Sequence, residues 1–509
     1  MQLKVRNQVR AGAVVSYITI FFNILSGFIY TPWLIRQLGQ SDYALYTLVT
    51  SIMTYFVLDF GMGAAITRFI ARYRANGEEH KVKQLLGVTT KLYLILDGVI
   101  LVALFIFYFL IDNIYVNLTS DEIERLKVVF CIAGMMSLLS FPFLPLNGVY
   151  TAYEKLYAQK MFDLCTKVIT VIAVVTALLL GGGLYIVVLF NAAVTFLMHL
   201  VKFAYIQRTE QLSIDFRYRD KKLLKTIFSF SVWVTLATVA DRFFFTFIPS
   251  LLGIVSNTTE IAIFAVAVSV EGYTSLFASA FNNLFLPRVT KMVIAKDDPE
   301  KITDLMIKVG RIQLIVVSAI VVLMLAMGSE FIRCWVGPEY AKSYYVLVLV
   351  LIPSMVHFTQ AVANEMIYAT DNVKYRALVY TLGSVISIIT TFILGGKYGA
   401  IGAAIGISLA LFLSHVLLMN YIYYKKLKLN IWRYFRECHF KMYPPLVFSG
   451  LIGFAWMKLW PVNSLPLFLL KAGLWGLVHL VIVWRFILNP YERGLFSEYA
   501  GKLLRFVRK

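Results

Sequence analysis

The stretch Asp42-Tyr43-Ala44-Leu45-Tyr46 returns near the middle of the chain as Glu260-Ile261-Ala262-Ile263-Phe264. The echo extends outward at near-constant spacing. Arg68 recurs as Arg288, Lys81-Val82 as Lys301-Ile302, Asn147 and Ala152 as Asn364 and Ala369, and His199 as His415. Residues from about 12 to 206 and from about 226 to 423 each hold six long apolar stretches. A repeat of membrane-spanning bundles is the usual build of a transporter, because two lobes can rock about a site between them.

The composition agrees with spans. The chain has 509 residues, 60% of them apolar and only 15% charged, a balance that suits a lipid-exposed bundle rather than a soluble core. A helix needs about 20 apolar residues to cross a hydrocarbon layer of roughly 30 Å. By that measure fourteen transmembrane helices are predicted, near 12–34, 43–66, 85–111, 128–150, 161–181, 184–206, 226–253, 261–287, 309–328, 344–369, 376–395, 399–423, 443–460 and 465–488. The fold class is thus an all-α integral membrane protein. Six spans is an even number, so the two halves are expected to be parallel six-helix lobes, 1–206 and 226–423, joined by a cytoplasmic linker 207–225. Segment 424–509 adds two further C-terminal helices and a tail, which read as an appendage.

The net charge of +20 raises the question of nucleic acid, and its placement argues against it. With the N-terminus inside, only Arg36, Arg125, Lys127, Arg333, Lys342, Lys397 and Lys458 fall outside, and only Arg242 and Lys471 fall within spans. The remaining Lys and Arg are inside, as the positive-inside rule requires, so both termini are expected to be cytoplasmic. The basic loops serve topology or bind anionic lipid headgroups. The first apolar stretch is long enough to span and reads as retained rather than as a cleaved signal. Cys131, Cys165, Cys334 and Cys438 show no disulfide or metal spacing. No GxxxxGK[ST] loop, HExxH or large outer domain is present, so catalysis and cofactors are not expected.

Ionisable groups inside spans are costly and face a cavity or a partner. Asp241-Arg242 lies mid-span; successive helical residues are about 100° apart, so one faces a cavity while the other reaches a neighbour, or the two form a structural ion pair. Asp59, Glu271, Asp97 and Asp241 are candidates for carrying a coupling proton or sodium ion, or for local hydrogen bonds. His357, Gln360 and Asn364 follow i, i+3, i+7 spacing and are expected to share one face of a single helix. Asn282 and Asn283 are a weaker pair of the same kind. Arg68 and Arg288 sit at predicted inner span ends, as topology signals or as cations placed to receive phosphate. Lys471 is expected to snorkel or to contact the bundle. Pro32 with its mate Pro249, Pro142, Pro145 and Pro353 mark expected kinks.

Arg36-Gln37-Leu38-Gly39 followed by Asp42–Tyr46, and Asp241-Arg242 followed by Glu260–Phe264, resemble signatures of polysaccharide flippases of the Wzx type. These belong to the multidrug/oligosaccharidyl-lipid/polysaccharide exporter superfamily. The resemblance implies a V-shaped, MATE-like pair of lobes and a substrate that is an oligosaccharide on undecaprenyl pyrophosphate. It further implies ion-coupled alternating access in the bacterial cytoplasmic membrane, and a lipid-tail groove in the last two spans. Implied partners are membrane lipids, a polysaccharide polymerase and a chain-length regulator, with a monomeric protein and no nucleic acid. Arg242, Arg68, Arg288, His357, Gln360 and Asn364 become the candidate substrate contacts. The competing readings are a drug or metabolite antiporter and a membrane sugar polymerase or ligase.

Overall fold

In the computed structural model the described residues are 2–57, 61–279, 285–295, 298–370, 372–494 and 497, and among them there is no strand. Nine helices are long and apolar enough to cross a membrane, or up to eleven if each of two bent pairs counts as one span. Their outer faces carry what water would not tolerate. On helix Glu79–Ile114 alone, Leu94, Ile95, Val99, Val102, Phe105, Ile106 and Phe109 are exposed. An apolar stripe of that extent needs lipid around it, so the protein is a multi-pass membrane protein. The chain forms two compact units: Met1–Val268 with Val373–Ser414, and Ser269–Asn372 with His415–Lys509.

In the first unit, glycine ends helices that the apolar pattern would otherwise run together. Gln2–Phe56 breaks at Gly39 (φ 78°), and Val373–Leu411 breaks at Gly399 (φ 58°). A left-handed residue interrupts the ladder, and only glycine enters that region freely. At Gly399 the freed N–H of Ala400 donates to Glu260 Oε2 at 2.8 Å, and any Cβ on residue 399 would fall on that carboxylate. Helix Ser120–Ser140 opens with a capping box, Thr119 and Glu122 each accepting from the other's backbone N–H. Helix Lys221–Phe245 is capped by Asp220, which accepts from Lys222 N and Leu223 N. The Leu223 N–H holds that carboxyl below its ordinary range. Proline marks two departures: a 3₁₀ turn over Phe141–Phe143, and a 49° bend between Thr235–Phe245 and Ile248–Val255.

The second unit is organised around helix Pro299–Trp335. Lys471 on helix Leu465–Ile482 does not snorkel; it contacts the bundle. Its Nζ donates to Glu330 Oε2 and to Trp460 O, each at 2.6 Å, while Glu330 Oε1 accepts from Val462 N at 2.7 Å. Both side chains are sealed, at 0% and 1% exposure. Nearer the start of the same helix, Arg311 grips Glu492 with Nε and Nη2 (2.6 and 2.9 Å) and also donates to Ile487 O and Glu437 O. The two anchor points lie 19 residues apart in sequence, about 28 Å along the helix. The C-terminal helices are thus bolted to the bundle at both ends, while Leu467, Leu470, Leu477 and Val481 stay exposed on their far side. All four cysteines are free.

Removing one member of a buried pair strands the other charge, which costs about 3–5 kcal/mol. Lys471→Met is therefore expected to lower the melting temperature of the purified protein sharply. Adding Glu330→Leu to Lys471→Met should restore most of the loss. A melting temperature unchanged by Lys471→Met alone would contradict the assignment.

Candidate functional site

Two clusters gather Asp241, Arg242, His357, Gln360 and Asn364 from among the polar groups singled out from the sequence. The first lies in the Met1–Val268 unit, where Lys221–Phe245 meets the end of Gln2–Phe56. The last carbonyls of a helix have no intrahelical partner, and Arg242 Nη1 donates to one of them, Thr54 O, at 2.9 Å. A cation is also the charge a helix C-terminus favours. Tyr55 OH donates back to Arg242 O at 3.4 Å, and Ser51 donates to Thr246 O. Tyr55, Phe243 and Phe247 close a ring triad around the junction, with centroids 4.9–5.1 Å apart. Arg242 is half-buried and Asp241 is exposed. The charges acting on Asp241 are those of Arg376 and Arg242, Arg376 first. Arg376 also lies 4.8 Å from the Tyr380 ring centroid. Sequence position disguises Arg376, because it stands at a predicted inner span end, where topology alone accounts for a cation. The mark that distinguishes it is its location one turn before Tyr380, a ring able to hold a guanidinium in place.

The second cluster lies in the other unit. The apolar pattern predicts a single helix over 344–369 with His357, Gln360 and Asn364 along one face. Instead the helix stops at Phe358, restarts at Ala361 and bends by 56°. The break is not at Pro353, which lies inside Ser343–Phe358. It falls at Thr359, whose hydroxyl turns back to Val356 O (2.8 Å) and so competes with the ladder. Tyr434 OH takes up the released groups, 2.9 Å from Thr359 O and 2.8 Å from Thr359 Oγ1, with His439 Nε2 3.2 Å from that hydroxyl. Gly310 permits the approach, since a Cβ there would lie 2.9 Å from both Thr359 O and the Tyr434 ring.

Across the break, the three predicted residues meet polar partners from 415–423. His357 packs edge-on against the His415 ring at 4.7 Å. Gln360 Nε2 donates to Asn420 Oδ1 at 2.8 Å, and Tyr423 OH donates to Asn364 Oδ1 at 2.9 Å. Helical periodicity does not reveal these partners, because His415 sits in a π-helical turn, Phe412–Leu418, which rotates the remainder of the helix out of the expected register.

The remaining candidates are dispersed. Glu271 is buried on Thr258–Ser279. Asp97 is half-buried on Glu79–Ile114, and its Oδ1 has no hydrogen-bond partner among the described residues. Arg68 and Arg288 are exposed on Met62–Ala75 and Leu286–Ile294. Asp59, Asn282 and Asn283 lie outside the described residues. No group of three or more His, Cys, Asp or Glu suited to a metal occurs among the described residues.

A family model described as "Polysaccharide biosynthesis protein" matches residues 9–293, more than half of the chain. The chain belongs to that family. A Shigella flexneri protein named "Putative O-antigen transporter" is 20% identical over 404 residues, covering 77% of this chain and 92% of its own length. Among solved structures, the lipid II flippase MurJ in an inward closed conformation superposes with a TM-score of 0.68. It is 14% identical, over 92% of this chain and 98% of MurJ. An inward-facing multidrug resistance MATE transporter of the MOP superfamily gives 0.60 at 13% identity, over 81% and 99%. The family and the MATE-like fold drawn from the sequence signatures are thereby established.

The Gln360–Asn420 bond makes a direct prediction. Asn420→Leu strands a buried amide and should cost about 1–3 kcal/mol, read as reduced thermal stability in detergent. Gln360→Leu combined with Asn420→Leu should cost clearly less than the sum of the single changes.

Proposed function

We propose that this protein moves undecaprenyl-pyrophosphate-linked oligosaccharide units from the inner to the outer leaflet of a bacterial cytoplasmic membrane for O-antigen, capsule or exopolysaccharide assembly. The reading rests on one observation: in a member of a polysaccharide biosynthesis family, the Arg242 guanidinium is held half-buried at the end of a membrane-spanning helix, 2.9 Å from Thr54 O, next to Asp241. A cation at that depth is costly and marks a place where an anionic substrate can be met. A pyrophosphate supplies the match, and a planar guanidinium pairs with it bidentately.

The fourteen spans, the parallel lobes 1–206 and 226–423, the cytoplasmic linker 207–225 and inward-facing termini belong to this reading. The repeat mates and the distribution of Lys and Arg support them. Lobes in this sense are defined by the repeat, not by compactness. The apolar groove of about 340 Å³ between Val322, Ala326, Met355, Leu446, Gly450 and Phe454 suits a polyprenyl tail. Arg68 and Arg288, exposed, would meet the phosphates at the inner mouth. Asp241, Asp59, Glu271 and Asp97 are the proposed carriers of a coupling proton or sodium ion. The protein works as a monomer that hands its product to a polymerase and chain-length regulator. A drug antiporter would share this fold, but the relatedness to an O-antigen transporter favours the glycan.

Arg242→Ala should reduce export of the cognate glycan by about thirty-fold, equivalent to about 2 kcal/mol, with the protein still inserted at wild-type level. Arg242→Lys should retain part of the activity. The assay is surface glycan together with accumulated lipid-linked intermediates in a knockout strain. In reconstituted vesicles, collapsing the proton and sodium gradients should stop net flipping. Flipping that ignores both gradients would remove the four acids from the ion-carrying role.

A further inference from the structure

A second cavity lies within the Met1–Val268 unit, apart from the two polar clusters. Three helices wall it, and each contributes one periodic face. Residues 46, 49, 50, 53 and 57 come from Gln2–Phe56 and the residue after it, residues 133, 136, 137 and 140 from Ser120–Ser140, and residues 188, 191, 192, 195 and 199 from Leu184–Glu210. Spacings of three and four keep each set on one side of its helix. The cavity holds about 340 Å³, at the small end of the range for ligand pockets. The wall spans residues 46 to 57, about 16 Å along the helix.

No Asp, Glu, Lys or Arg lines the cavity among the described residues. The first helix and the residue after it give Val49, Met53 and Val57 together with Tyr46 and Thr50. The other two bring Ser137, Ser140, Asn191, Thr195 and His199, with alanine, methionine and valine between them. Asn191 Nδ2 donates to Tyr46 OH at 2.9 Å, which fixes the amide and leaves its oxygen as an acceptor. Neither Ser137 nor Ser140 makes a side-chain hydrogen bond among the described residues, and His199 Nδ1 is buried there without a partner. The His199 ring lies nearly parallel to Phe143, 6.4 Å away, so its orientation is set by packing. Hydroxyl, amide and imidazole groups left unspent at membrane depth are costly. An acyl chain in the cavity would leave them unspent. An anion would find no cation. An uncharged ring with hydroxyls on its edge and C–H groups on its face would satisfy both the polar and the apolar lining.

We propose that this cavity is a subsite for a neutral sugar residue of the transported glycan, with Ser137, Ser140, Asn191 and His199 as its hydrogen-bonding contacts. The inference rests on the proposed function and adds to it a division of labour. The charged head is held through guanidinium groups, and the sugar is read separately by a pocket whose described lining residues carry no charge.

The test is binding to the full-length protein in lipid nanodiscs. The two probes are undecaprenyl pyrophosphate carrying the host's repeat unit and the same lipid without sugar. Wild type should bind the glycosylated lipid about ten-fold more tightly, as a few hydrogen bonds to neutral groups allow. Asn191→Leu, and separately Ser137→Ala with Ser140→Ala, should bring the two affinities together while leaving that for the bare lipid unchanged. Three results overturn the subsite: a wild type with no preference for the sugar, variants that keep the preference, or variants that lose both ligands equally. A wild type that binds neither lipid would instead refute the proposed function, and the subsite with it.

Discussion

The structure depends on the rule that a charge taken into a membrane bundle must be met there. Burying an ion costs several kcal/mol even after relaxation, and the second unit meets that cost twice on one helix. Lys471–Glu330 and Arg311–Glu492 lie about 28 Å apart along Pro299–Trp335, close to the roughly 30 Å of a hydrocarbon core. Each ion also takes hydrogen bonds from, or gives them to, backbone groups at a helix end: Trp460 O and Val462 N at one pair, Ile487 O and Asn489 N at the other. The pairs therefore do more than neutralise. They satisfy the ends of the C-terminal helices in the places where lipid would leave those ends bare. Packing between apolar faces in lipid has little hydrophobic drive, so such pairs are what can fix where these helices dock.

The same rule separates sealed charges from open ones. Lys471 and Glu330 are sealed and fully occupied with each other. Arg242 is half-buried, holds a helix-end carbonyl, and shares Asp241 with Arg376. A sealed pair has no room for a third party, whereas a half-buried guanidinium keeps donors open to one.

Much of this is legible in the sequence because hydrophobic periodicity and internal repetition are strong signals. The all-helical fold and the family follow from apolar run length and from motifs such as Asp42–Tyr46, whereas Pro32 and Pro353 sit inside helices that break instead near Gly39 and Thr359. The bond partners are not legible. His357, Gln360 and Asn364 are a polar set, as their spacing implies, but they do not share one helix face. A single threonine hydroxyl and a tyrosine 75 residues away decide where that helix breaks. Asn191, Thr195 and His199 follow a helical spacing as clear as that of the first set. Serine, threonine and asparagine are ordinary in spans, however, and only the shared cavity sets these residues apart. Lys471 can be placed from sequence but not paired, since nothing local to it points to Glu330, 141 residues earlier.

The acid that opens each copy of the echoed motif has a longer consequence. Asp42 pairs with Arg125, whereas its mate Glu260 accepts from the backbone at Ala400, beside Gly399. Equivalent positions in the sequence echo thus do different structural work: one carboxylate ties two helices together through a side chain, the other closes the backbone at a helix break. Exchanging the two motifs would leave Arg125 or the Ala400 N–H short of its fitted acceptor.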